Sequence, residues 1–145
     1  MIVYCDTSFL VSLLNDEDVN HGAARKLAAK HRSGEFVLCD VHMLEVPASV
    51  RAATHRELNP IPELVARRVI NRFDRAVNRK MFQRKRLEGE EAMNMARNLG
   101  EVHGWKERHT AFDLWHLGAA WTLSASVFLT FDKRQKRIAR SLGMA

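Results

Sequence analysis

Apolar residues follow two alternating patterns along the chain. Short runs rich in β-branched and aromatic residues are typical of buried strands, and they occupy residues 2–5, 35–39 and 126–130. The longer stretches between them place apolar residues at i, i+3, i+4 and i+7, which predicts helices, and residues 81–87 show neither pattern. Strands that alternate with helices form parallel sheets with both faces covered. We therefore predict a single α/β domain over residues 1–145, built as a three-layer α/β/α sandwich.

Four acidic residues lie where the predicted strands end or the predicted helices begin. Asp6 follows the first strand and Asp132 follows the last one. Ligands of open α/β sheets gather outside the carboxyl ends of the strands, and Glu45 and Asp113 can reach the same crevice from the first turns of neighbouring helices. Such a cluster of carboxylates repels itself unless a hard divalent cation neutralises it. The pattern predicts a Mg²⁺ or Mn²⁺ site that activates water for attack on a phosphodiester.

Each acid also has a simpler explanation when it is taken alone. Asp6, Asp113 and Asp132 can each be an N-cap, since aspartate is common at helix starts. Glu45 can be an exposed helix residue, and Asp40, directly after the second strand, is a rival for its role. Only the joint arrangement of the four acids favours a catalytic site.

Four segments of the sequence resemble the PIN domain, and within that superfamily the VapC-like toxin nucleases of type II toxin–antitoxin pairs. The segments are VYCDTSFLVSLL, the LEV around Glu45, FDLWHLGAA and FLTFDKRQKRIARSLGM, which together span the chain. The resemblance implies a mainly parallel sheet of about five strands, a Mg²⁺- or Mn²⁺-dependent endoribonuclease activity and inhibition by a small cognate antitoxin. It implies catalytic and metal-binding roles for Asp6, Glu45, Asp113 and Asp132, and it prefers Glu45 over Asp40.

Three hydroxyl residues are candidates for supporting the acids. The resemblance places a hydroxyl near the last acid at Thr130. Thr7 or Ser8 can orient Asp6 through a hydrogen bond, although each can equally cap the helix that follows. His116 lies one helical turn after Asp113 and is a further candidate, for which a buried structural histidine is the simpler explanation.

The charge balance is compatible with a nucleic-acid ligand. Lys and Arg outnumber Asp and Glu by 23 to 17, which gives a net charge of +6 and a pI near 9.8. One face of the last predicted helix can guide RNA phosphates toward the acids through salt-sensitive contacts. A solvated helix face explains the same residues equally well. The basic residues of this face are Lys133, Lys136, Arg137 and Arg140.

The sequence favours a cytoplasmic protein. The two cysteines lack metal-binding spacing and suit small buried residues in a reducing compartment. The first residues do not form a signal peptide, and the apolar run at 117–129 is shorter than the roughly 18 residues that suggest a membrane span. The family resemblance adds a homodimer and a substrate of the tRNA or ribosomal RNA class.

Three functions are compatible with this sequence. The first is a VapC-like toxin that inhibits translation, and the second is a PIN nuclease that matures RNA as a housekeeping enzyme. The third is a non-catalytic PIN module that binds RNA or protein and uses its acids only as caps. The presence of a carboxylate at all four positions argues against the third function.

Overall fold

Four parallel strands form one sheet in the computed structural model, which describes residues 1–145. The strands are β1 (Ile2–Cys5), β2 (Glu35–Leu38), β3 (Gln83–Arg84) and β4 (Val127–Leu129). Their order across the sheet is β3-β2-β1-β4, and Tyr4 pairs with Val37 on one side and with Phe128 on the other. The three strands predicted from the apolar runs are confirmed to within one residue at each end.

Seven helices cover the two faces of the sheet. They are α1 (Thr7–Leu14), α2 (His21–Lys30), α3 (Asp40–Ala53), α4 (Glu63–Asn78), α5 (Gly89–His103), α6 (Ala111–Thr122) and α7 (Lys133–Ser141). Because side chains alternate along a strand, Val3 packs with α1–α4 on one face and Tyr4 packs with α5–α7 on the other. This arrangement confirms the α/β/α sandwich. None of the helices combines the length and apolar character needed to cross a membrane.

The sheet has four strands rather than about five. The sequence does not predict β3 because its two residues are polar and exposed, so no apolar run marks them. At the opposite edge, a single residue pairs with the outer side of β4. The amide of Ala145 donates to the carbonyl of Ser126 at 2.9 Å, and its carbonyl accepts from the amide of Phe128 at 3.1 Å. Ala145 therefore occupies part of the outer edge of β4.

Gly118 lies at a close approach between α6 and α5, and its substitution by alanine should destabilise the protein. A Cβ atom there would lie 2.4 Å from the carbonyl oxygen of Ala92 and 3.0 Å from the amide nitrogen of Ala96. Because both neighbours are backbone atoms, the two helices must separate. We expect Gly118→Ala to lower the free energy of unfolding by about 1–3 kcal/mol in urea denaturation.

Gly22 in α2 provides the matched control for this substitution. A Cβ atom at Gly22 would meet no atom within 4 Å. Gly22→Ala should therefore raise the free energy of unfolding, by up to about 1 kcal/mol, since alanine is the better helix former. Equal changes in the free energy of unfolding for the two substitutions would show that α5 and α6 can separate at Gly118 without loss of stability.

Candidate active site

One cleft at the carboxyl edge of the sheet brings the four predicted acids together. Its volume is about 400 Å³. The acids that line it are Asp6, Glu45, Asp113 and Asp132. They come from the ends of β1 and β4 and from α3 and α6, so distant parts of the sequence meet where ligands of parallel α/β sheets bind.

Asp6 lies between β1 and α1 and is the most buried of the four acids, with 3% of its surface exposed. Its Oδ1 accepts a hydrogen bond from the amide of Phe9 at 2.8 Å, which makes it the N-cap of α1. Its Oδ2 accepts from the hydroxyls of Ser8 and Thr130, both at 2.8 Å. Burial raises the pKa of Asp6, although the three hydrogen bonds oppose this shift. The same side chain is thus both a helix cap and a cleft acid.

Glu45 lies in the second turn of α3, rather than in the first turn as predicted. Its Oε2 accepts a hydrogen bond from the Thr7 hydroxyl at 2.7 Å and lies 2.5 Å from Nε2 of His116. Of the two hydroxyls considered for orienting Asp6, Ser8 bonds to Asp6, whereas Thr7 supports Glu45. Burial raises the pKa of Glu45, but the contacts with His116 and Thr7 outweigh burial and leave the pKa below its ordinary value.

His116 connects the two helical layers across the carboxyl edge of the sheet. It belongs to α6 on one face, whereas its partner Glu45 belongs to α3 on the other. The second ring nitrogen, Nδ1, lies 2.8 Å from the hydroxyl of Tyr4, which is 3.4 Å from Sγ of Cys39. The sequence singles out His116 by its spacing from an acid, but it does not predict Tyr4, which lies inside an apolar strand.

Asp113 is held by groups from two helices. Helix α6 begins at Ala111, two residues before the predicted start, because Thr110 is its N-cap. The Thr110 hydroxyl accepts from the Asp113 amide at 3.1 Å, and Oδ2 of Asp113 accepts from the Thr110 amide at 2.7 Å. Oδ1 of Asp113 accepts from Nε2 of Gln135 at 2.8 Å. Gln135 is buried in α7 and lines the cleft, and the sequence does not predict it.

Asp132 is the N-cap of α7 and is paired with Arg134. Its Oδ1 accepts from the amide of Arg134 at 2.7 Å, and its Oδ2 accepts from Nη2 of the same residue at 2.7 Å. Nη1 of Arg134 donates to the carbonyl of Arg108 at 2.6 Å. The hydrogen bond from the Arg134 guanidinium lowers the pKa of Asp132. A protein cation therefore already neutralises this acid.

Replacing Arg134 with alanine should raise the pKa of Asp132 toward the ordinary value of about 3.9. Because the folded state lowers this pKa, the ion pair stabilises the fold above the ordinary Asp range and loses this effect as the pH falls through the folded pKa. The Arg134 side chain is 40% exposed, so the change in stability should be small. Titration of the Asp132 carboxyl carbon by NMR measures the shift.

Arg140 supplies the control for this titration. It is an exposed arginine on the same helix, and it does not pair with Asp132. Arg140→Ala should leave the pKa of Asp132 within the error of the measurement. Equal shifts in both variants would mean that net charge, and not the Arg134 contact, sets the pKa.

The oxygen ligands in the cleft suit a hard divalent cation. All four acids offer carboxylate oxygens, and Oε1 of Glu45 accepts no hydrogen bond from the chain. No group of three His, Cys, Asp or Glu side chains is arranged to hold a metal ion in this structure. Mg²⁺, however, is usually bound through one or two carboxylates and keeps several of its waters. The four acids therefore suit a Mg²⁺ or Mn²⁺ ion that keeps part of its water shell better than an ion enclosed entirely by protein ligands.

The basic face of α7 lies outside the cleft. Its four predicted RNA-binding residues are exposed, and none of them lines the cleft. One of them, Arg137, forms an ion pair with Glu107. Among the residues that line the cleft, Arg56 is the one Lys or Arg. No local pattern in the sequence marks Arg56.

Asp40, the rival of Glu45, also lies outside the cleft. Its side chain is exposed and forms an ion pair with Arg84 of β3 at 2.8 Å. Of the two acids that follow the second strand, only Glu45 lines the cleft. This position makes Asp40 a suitable control for substitutions of the cleft acids.

The fold and the cleft define an α/β protein whose sheet concentrates four acids at its carboxyl edge. The family model of the PIN domain matches residues 3–141, so the chain belongs to the PIN-domain family. The family resemblance found in the sequence is thereby confirmed. No curated protein sequence matches the chain.

Two solved structures show the same fold at low sequence identity. The chain is similar to VapC20 of Mycobacterium tuberculosis, a Sarcin-Ricin loop cleaving toxin, with 15% identity, 94% of each chain covered and a TM-score of 0.66. It is also similar to a chain of VapBC2 from Rickettsia felis, which was crystallised with a DNA fragment from the promoter. That comparison gives 16% identity over 94% of this chain and 92% of the other, with a TM-score of 0.62.

Proposed function

We propose that the protein is a Mg²⁺- or Mn²⁺-dependent endoribonuclease that hydrolyses RNA phosphodiester bonds. The observation that carries this proposal is the meeting of four carboxylates in one cleft of a PIN domain. Asp6, Glu45, Asp113 and Asp132 would hold the cation. A bound cation of this kind acts as a Lewis acid and lowers the pKa of a bound water.

The chain's own residues hold the carboxylates in place. Asp6, Glu45 and Asp113 each accept at least one hydrogen bond from another side chain. Thr130 and Ser8 hold Asp6, Thr7 and His116 hold Glu45, and Gln135 holds Asp113. Such supporting contacts fix the orientation of ligating groups and keep a site organised before its ligand binds. Asp132 differs because its partner is the cation of Arg134, which a metal ion would have to displace or share.

The role in the cell that we propose is the toxin of a VapBC-type pair, which inhibits translation. The likeness to VapC20 and to VapBC2 supports this role, as does the net charge of +6, which suits an RNA substrate. We infer a substrate of the tRNA or ribosomal RNA class, a small cognate antitoxin, a homodimer and a cytoplasmic location. The housekeeping nuclease shares the same chemistry and differs only in its target.

Calorimetric titration with Mn²⁺ tests the metal site. The wild-type protein should bind Mn²⁺, and Asp113→Asn should weaken the binding about tenfold or more, because it removes a ligand of the cleft. Asp40→Asn removes the same charge outside the cleft and should leave the affinity unchanged. A folded wild-type protein that binds no Mn²⁺ would instead support a non-catalytic binding module.

Induced expression in a bacterial host tests the role as a toxin. The wild-type protein should arrest growth, and Asp113→Asn should abolish the arrest, since growth inhibition depends on RNA cleavage. Co-expression of the proposed cognate antitoxin should restore growth. Normal growth during expression of an enzyme that cleaves RNA in vitro would favour the housekeeping nuclease.

A further inference from the structure

The acid cleft continues as a groove between α1 and α3. Along α3, the lining positions Glu45, Ser49 and Ala53 are four residues apart, so one face of the helix forms a wall of the groove. At about 1.5 Å per residue, this wall extends about 12 Å from Glu45 to the end of α3. Ser8, Ser12 and Asn15 form the opposite wall, and Arg56 follows the end of α3.

Two nearly buried polar side chains lie on the α1 wall of the groove. Ser12 is 5% exposed and Asn15 is 4% exposed. Oδ1 of Asn15 accepts from the amide of Glu17 at 3.1 Å. Both side chains line the cleft, and the Ser12 hydroxyl and Nδ2 of Asn15 are not among the buried atoms without a partner, so they can form hydrogen bonds with a ligand in the groove.

The charge distribution along the groove favours a polyanion at the Arg56 end. The acids make the other end negative, so a nucleic-acid strand needs a cation farther along to be held. Arg56 is exposed and forms no ion pair. Its guanidinium can bind a phosphate through two parallel hydrogen bonds. Asp18 lies in the same groove, where its Oδ1 accepts from the amide of Asn20 at 2.7 Å.

We propose that single-stranded RNA runs from the acids along this groove and that Arg56 binds a phosphate a few nucleotides away from the scissile one. Ser12 and Asn15 then form hydrogen bonds with the nucleotides in between. Phosphates of a stacked strand are about 3.4 Å apart along the axis, so a groove of about 12 Å spans only a few nucleotides. This proposal rests on the proposed ribonuclease function and adds the path of the substrate.

The affinity of the Asp6→Asn variant for RNA tests this path without cleavage. The probe is a fluorescently labelled single-stranded RNA of random sequence, and its affinity is measured over a series of salt concentrations. Adding Arg56→Ala should weaken binding about fivefold and should reduce the slope of log K against log salt by about 0.7, the value for one phosphate contact on a single strand. Asp18→Asn should strengthen binding, because it removes a negative charge from the groove.

Arg51→Ala is the matched control, since Arg51 is an exposed arginine of α3 that lines a different cleft. It removes the same charge and should leave both the affinity and the slope nearly unchanged. Equal losses in the two arginine variants would overturn the proposal, because net charge alone would then explain them.

Other outcomes separate this proposal from the proposed function. If the wild-type protein cleaves RNA but Arg56→Ala keeps the affinity and the slope, the path is wrong and the ribonuclease function stands. If Arg56→Ala weakens only the antitoxin complex, the groove belongs to the protein partner and the RNA path is also wrong. A protein that neither binds nor cleaves RNA would overturn both.

Discussion

Replacing Asp6 with asparagine should reduce RNA cleavage about a thousandfold or more, as expected for loss of a central catalytic carboxylate. The same substitution should not destabilise the fold. Burial raises the pKa of Asp6, so the ionised carboxylate costs stability at neutral pH. Asparagine keeps an oxygen for the amide of Phe9, and the hydroxyls of Ser8 and Thr130 can rotate to accept from its nitrogen.

Two measurements on the same sample check this prediction. Initial rates on RNA give the loss of activity, and urea denaturation gives the free energy of unfolding. Asp40→Asn is the control, because it removes one exposed acid outside the cleft and should leave the cleavage rate within about twofold. Unchanged cleavage by Asp6→Asn would exclude a catalytic role, and unfolding would show that the fold itself needs the carboxylate of Asp6, since asparagine keeps the cap.

Replacing His116 with leucine should lower the free energy of unfolding by about 3 kcal/mol. This value is the low end of the roughly 3–5 kcal/mol expected when one partner of a buried charged contact is removed. The low end applies because the Glu45 side chain is 17% exposed. The substitution leaves Glu45 with only the Thr7 hydroxyl and removes the 2.8 Å contact of the Tyr4 hydroxyl. Because Glu45 loses its position, cleavage should also fall about tenfold to a hundredfold.

Tyr4→Phe is the control for the His116 substitution. It removes the contacts of the Tyr4 hydroxyl with His116 and Cys39 but keeps the contact between His116 and Glu45, and it should cost about 1 kcal/mol in urea denaturation. The pH dependence gives a second check, because the lowered pKa of Glu45 stabilises the fold above the ordinary Glu range and this effect disappears in acid. The stabilities of the wild-type protein and His116→Leu should therefore approach each other as the pH falls. A loss no larger than that of Tyr4→Phe would contradict a role of His116 in holding Glu45.

The fold could be predicted from the sequence wherever burial imposes a pattern. β1, β2 and β4 are apolar because both faces of the sheet are covered, and the buried faces of the helices repeat with helical spacing. β3 could not be predicted because its residues, Gln83 and Arg84, are exposed. At the outer edge of β4, Ala145 forms two backbone hydrogen bonds that no apolar run marks.

The acids of the site could be predicted because their positions depend on local structure. Asp6 and Asp132 both follow strands and cap helices, so their place in the chain already assigns them to the carboxyl edge. The groups that hold the acids depend on how helices from opposite faces approach one another. The contact of His116 with Glu45 joins residues 71 positions apart, and the contact of Gln135 with Asp113 joins two helices. No local pattern encodes such contacts.

The most direct test of the proposed function is digestion of total cellular RNA by the purified protein in the presence of Mg²⁺ or Mn²⁺. Parallel reactions contain EDTA or the Asp6→Asn variant, and the ends of any fragments are mapped. We predict discrete fragments that disappear in both control reactions, which would establish a metal-dependent endoribonuclease and identify its target. Intact RNA after incubation with a folded protein that binds Mn²⁺ would contradict the central claim that the four acids form a ribonuclease site.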